Sequence, residues 1–118
     1  MKSLHHFPQV YLHRDYVDFR KSINGLGAIV QESMQLDPFS SSLFVFCCRR
    51  RKKIKLLYWD KTGFALWYKK LEQDRFPWPK NDSRSVLILD SKQLRWLLDG
   101  IDLWAIRPHQ EKSYKKMC

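Results

Sequence analysis

A chain of 118 residues with 44% hydrophobic and 14% aromatic side chains carries enough apolar surface for one domain with a real core, and hardly for two. That composition excludes a disordered basic tail. Twenty-two Lys and Arg against twelve Asp and Glu give a net charge of +10 and a pI near 9.7, so a polyanion is the natural partner: nucleic acid first, then an anionic membrane surface or an acidic protein.

Residues 1–8 read as a loose arm, without the apolar core of a secretory signal: Met1-Lys2 is followed by His5, His6 and Pro8. Gln9 to His13 alternates around Val10 and Leu12 and predicts a short strand. Ile23, Leu26, Ile29, Val30 and Met34 share one helical face, with Asp18 or Ser22 as the N-cap and Asp37-Pro38 as the stop. Leu43 to Phe46 and Ile54 to Trp59 are β-prone runs, and Arg49 to Lys53 between them reads as the tip of an antiparallel hairpin. The apolar run Leu43 to Cys48 is too short to span a membrane, so no membrane partner is expected and the location reads as cytoplasmic. Three cysteines make a poor disulfide framework; Cys47 and Cys48 read as small buried hydrophobes in a reducing compartment. Asp60-Lys61-Thr62-Gly63 is a turn signal before a third run, Phe64 to Lys69. Arg75 to Trp78, with Pro77 and Pro79 around it, reads as an edge segment, and Lys80 to Arg84 as a polar loop. Ser85 to Leu89 is a last strand. Asp90 caps a helix from Ser91 to about Asp99 with Leu94, Leu97 and Leu98 as its stripe, and Gly100 closes it. The expected fold is α+β: an antiparallel sheet of about five strands, with two helices packed on one face, spanning residues 9–103 as a single domain before a basic tail, 104–118.

The segment Arg49–Lys55 holds six basic residues in seven. On a hairpin tip such density lines several cations along one phosphate backbone, and the released counterions drive sequence-independent affinity. Arg49, Arg50, Arg51, Lys52, Lys53 and Lys55 are therefore the expected DNA contacts, with Arg20, Lys21, Lys69, Lys70 and Arg75 behind them. Tyr58, Trp59, Phe64, Trp67, Tyr68, Phe76 and Trp78 interleave with lysines; most read as core, and exposed ones would stack bases or meet a partner protein. Trp59 and Trp67 both fall beside lysines on the less apolar side of their strands. Pairing across the Asp60–Gly63 turn would bring them together on one face, as partner-binding candidates.

No catalytic set emerges. A nuclease or transposase core needs carboxylates that converge on divalent metal. Asp18 and Asp90 read instead as caps, Asp37 and Asp60 as turn residues, and Asp99 as a helix-end residue. The histidines, 5, 6, 13 and 109, have no ligand spacing, and no nucleophile or phosphate-loop motif appears. The expectation is a non-enzyme with no cofactor, no metal and no small-molecule substrate.

The runs Asp37-Pro38-Phe39-Ser40, Leu43-Phe44-Val45-Phe46, Lys55-Leu56-Leu57-Tyr58-Trp59-Asp60, Leu66-Trp67-Tyr68-Lys69-Lys70-Leu71-Glu72 and Arg75-Phe76-Pro77-Trp78-Pro79 resemble the TnpB accessory protein. This is the product of the second reading frame in bacterial insertion sequences of family sixty-six. Asp18-Phe19-Arg20-Lys21 and Leu97-Leu98-Asp99-Gly100 extend the resemblance over roughly residues 9 to 103. The chain departs from the family pattern at Cys47, where arginine is common, and at Ser41, where glycine is usual. The RNA-guided nuclease that shares the name TnpB is a different, far longer protein with an acidic triad absent here. The resemblance implies a role in DNA transposition beside a separate transposase. Two readings follow: an accessory factor that binds DNA through the basic hairpin, or an adaptor that docks on the transposase through aromatic surface.

Overall fold

In the computed structural model, which describes residues 7–79 and 82–105, five strands and two helices follow one another along the chain. They are β1 (Val10–His13), α1 (Ile23–Glu32), β2 (Leu43–Cys47), β3 (Lys53–Asp60), β4 (Gly63–Lys70), β5 (Val86–Leu89) and α2 (Ser91–Leu98). The strands form one sheet in the order β4-β3-β2-β1-β5. β1 and β2 run parallel, with Val10 opposite Leu43; every other neighbouring pair is antiparallel. The sheet is thus mixed rather than purely antiparallel. The reason lies in the connection: α1 joins β1 to β2, and a helical crossover returns the chain in its original direction.

Ser22, not Asp18, caps α1; its side chain accepts from the Gly25 N–H. Asp90 caps α2 in a reciprocal box, accepting from the Gln93 backbone while the Gln93 side chain accepts from the Asp90 N–H. Gly100, just past that helix, takes the left-handed φ of +79° that glycine tolerates best.

The helices lie on opposite faces, which corrects the expectation of both on one. Leu94, Leu97 and Leu98 of α2 pack with Val10, Leu12, Leu43, Val45, Ile54 and Leu56. Leu26 and Val30 of α1 pack with Phe44, Phe46 and Leu57 across the sheet. Central β2 is buried at all five positions, as a strand covered on both sides must be.

Arg75 to Trp78 is not a strand. Pro77 and Pro79 have no N–H to extend a ladder. The segment instead plugs the α2 face: Phe76 and Trp78 are buried, Trp78 Nε1 donates to the Arg14 carbonyl (2.7 Å), and Trp104 Nε1 donates to the Pro77 carbonyl (2.9 Å). Packing also reaches past the expected domain limits. Phe7, assigned to the arm, is buried edge-on against Tyr58, and Trp104 leans on the same core. Residues 1–6 of the expected arm, Lys80 and Asn81 of the polar loop, and 106–118 of the tail lie outside the described residues, with His5, His6, His109 and Cys118 among them. No described helix is long and apolar enough to cross a membrane.

Candidate nucleic-acid interface

The β2–β3 connection turns over Cys48 to Lys52. The Arg51 N–H donates to the Cys48 carbonyl (2.9 Å), and Arg51 takes a left-handed φ of 61°. The segment after β4 pins this tip from one side: Leu71 N–H donates to the Lys52 carbonyl (2.8 Å), and Phe76 N–H to the Arg51 carbonyl (2.6 Å). From the other side, Val17 N–H donates to the Cys47 carbonyl (2.9 Å), which draws the segment after β1 alongside.

Between these three segments lies an open groove of about 1280 Å³, lined by Tyr16, Val17, Asp18, Phe19, Arg20, Cys48, Arg49, Arg50, Lys52, Lys53, Lys70 and Glu72. Six of the eleven expected DNA-contact residues therefore converge: Arg20, Arg49, Arg50, Lys52, Lys53 and Lys70. Two carboxylates share the groove. Asp18 grips Arg20 through three guanidinium contacts of 2.7 to 3.1 Å, and hydrogen bonding from that side chain pulls its carboxyl pKa down to about 2. The pair cancels its own charge at the surface. The other five cations form no ion pair among the described residues, facing only Glu72. Tyr16 is exposed at the rim.

The other expected contacts lie elsewhere. Lys55 turns under the loop, donating to the Phe19 carbonyl (3.1 Å) with its ammonium 4.7 Å from the Phe19 ring centre. Lys69 lies on the opposite face and donates to the Leu98 carbonyl at the end of α2 (2.7 Å). Lys21 and Arg75 are exposed, and Arg51 is half-buried, without lining the groove. Residue-level reading missed Tyr16, Phe19 and Glu72: the β1–β2 adjacency brings the first two to the tip, and the β3–β4 pairing of Lys53 with Lys70 brings the third.

Trp59 and Trp67 are not on one face. Asp60 pairs with Gly63 across Lys61-Thr62, so Trp59 stands opposite Phe64 and Trp67 opposite Leu56. Trp67 packs on the α2 core. Trp59 meets Phe39 (5.0 Å between centroids) and Phe64 (5.1 Å) on the α1 face. Among the described residues, no three of His, Cys, Asp and Glu converge as metal ligands. Burial drives the Cys47 thiol pKa up, away from reactivity.

Residues 8–108 match the family model described as IS66 Orf2 like protein. Two curated relatives come from Sinorhizobium fredii. The uncharacterized protein y4jC is 34% identical over 102 residues, 86% of each chain; y4hO, also uncharacterized, is 34% identical over 94 residues, 80% of this chain and 81% of its own. No solved structure matches.

Proposed function

The chain belongs to the IS66 Orf2-like family of insertion-sequence accessory proteins, and from that premise we propose that it binds DNA non-catalytically through the groove at the β2–β3 tip and so assists the element's transposase. The observation that carries this reading is convergence. Arg49, Arg50, Lys52 and Lys53 come from the tip and Lys70 from the end of β4, and together they form one cationic concavity with few opposing charges. Such a surface engages phosphates without reading base edges, so affinity should vary little with sequence. The carboxylates have other tasks: Asp18 holds Arg20, Asp37 accepts from the Phe39 N–H, and Asp90 caps α2.

The test is a salt titration of duplex binding. Five neutralised phosphates give a slope of log K against log salt of roughly −4.5. Arg49→Ala/Arg50→Ala/Lys53→Ala, three exposed side chains, should flatten that slope by about 2.7 and weaken all sequences alike. Supercoiled plasmid DNA incubated with the protein and Mg²⁺ should stay intact. An unchanged slope in the triple variant overturns the groove assignment; nicking that tracks the purified protein overturns the non-catalytic one.

A further inference from the structure

At the other end of β3 the surface has a different character. Phe39, 56% exposed, packs edge-on against Trp59 and nearly parallel to Phe64 at 5.5 Å. The Phe64 ring in turn lies close over Gly27 of α1, where a Cβ would sit 3.3 Å from it. The ring of Phe39 is held outward by its own loop: Asp37 Oδ1 accepts from the Phe39 N–H (2.9 Å), and the Asp37 carbonyl from the Ser40 N–H (3.2 Å). An exposed aromatic fixed in this way is pre-ordered as an anchor. Beside it opens a hollow of about 770 Å³ that Glu32, Leu36, Asp37 and Phe39 help to line, and no lysine or arginine lines it. In a protein of charge +10, this is a local inversion of sign.

We propose that the Phe39–Trp59–Phe64 cluster and its acidic hollow dock a cationic, apolar segment of the transposase. The proposal rests on the reading of the chain as an accessory protein of an insertion sequence. Charge complementarity selects the occupant. Glu32 and Asp37 repel phosphates, which disfavours nucleic acid, and attract Lys or Arg side chains flanking an apolar residue that fills the space against Phe39. A second copy of this chain would have to offer its own cationic groove, which DNA would then compete for.

The experiment uses the full chain and immobilised transposase of the same element, treated with nuclease, with salt varied. Phe39→Ser and, separately, Glu32→Gln/Asp37→Asn should each weaken binding by about tenfold or more. The double variant should also lose most of the salt dependence, while the amide that replaces the Asp37 carboxylate keeps an oxygen for the Phe39 N–H. Both variants should melt near the wild type and keep its DNA affinity. Wild-type binding in either variant overturns the proposal, as does failure of the wild type to bind. Self-association that Phe39→Ser abolishes would make the occupant a second copy and overturn it too, and loss of DNA affinity in Phe39→Ser would make it nucleic acid. The groove variant reports separately: its failure to lose DNA binding sinks the proposed function and leaves this surface standing.

Discussion

His13 shows how one side chain ties the β1 end to α1. It is 6% exposed, its Nδ1 lies 2.9 Å from the Asp15 carbonyl and its Nε2 3.3 Å from the Ser33 hydroxyl. A carbonyl only accepts, so Nδ1 carries the proton and Nε2 accepts from Ser33. Burial against Phe46 disfavours the charged ring and lowers its pKa from 6.5. The unfolded chain then binds the proton more readily than the fold. Stability from this group is therefore complete above pH 6.5 and is lost as pH falls through the lowered folded value. Melting curves from about pH 8 to about pH 5 should show this decline, and His13→Asn should flatten it; an equal slope in the variant would assign the decline elsewhere. Nothing in the sequence marked this histidine except its place in an alternating run. Lys55 teaches the reverse lesson. It stands within a basic run, but strand alternation puts it on the face of Leu57 and Trp59, where Phe19 holds it. Charge density alone could not separate it from Arg49.

At the scale of elements, local signals set the strands and both helices to within a residue or a few, because turns and caps are written in short motifs. Asp90 with Gln93 is such a motif. Asp90→Ala removes both the acceptor for the Gln93 N–H and the orientation of its partner, and should cost about 1–2 kcal/mol, whereas Asp90→Ser should cost far less. Ser22→Ala should cost about 1 kcal/mol at α1. Denaturant midpoints at constant m-value read both; equal losses for Asp90→Ala and Asp90→Ser would deny the cap its role. What local signals could not supply was pairing. The unbroken run Leu43 to Phe46 is the mark of a strand buried on both faces, a signal that the expectation of two helices on one face passed over. The two-residue turn at Lys61-Thr62 likewise fixes Trp59 opposite Phe64, which separates it from Trp67 by the thickness of the sheet. The crossover through α1 is not local at all. It sets the segment after β1 beside the hairpin tip, and so makes a groove out of what the sequence offers only as a basic turn.

The whole molecule places its two unlike surfaces at opposite ends of one strand. Lys53 begins β3 at the groove, and Trp59 nearly ends it at the aromatic cluster. Six residues of extended chain span about 20 Å, beyond the screening length of about 8 Å at physiological salt. Between the ends stands the packed centre of the sheet, with Leu12, Phe44, Leu56 and Leu57 fully enclosed. The two hollows share no lining residue, and at that distance the charges of one end are screened from the other. The two ends should therefore act independently. In a double-mutant cycle, Phe39→Ser combined with Arg49→Ala/Arg50→Ala/Lys53→Ala should lose DNA affinity and transposase affinity as the separate variants do, with an interaction energy below about 0.5 kcal/mol. DNA saturating the groove should leave binding at the aromatic end unchanged in the same way. A coupling well above that limit would mean that the sheet moves as it binds, or that one partner reaches both ends. If each end binds as proposed, independence would leave the spacing between the DNA backbone and the protein segment to be set by the length of β3.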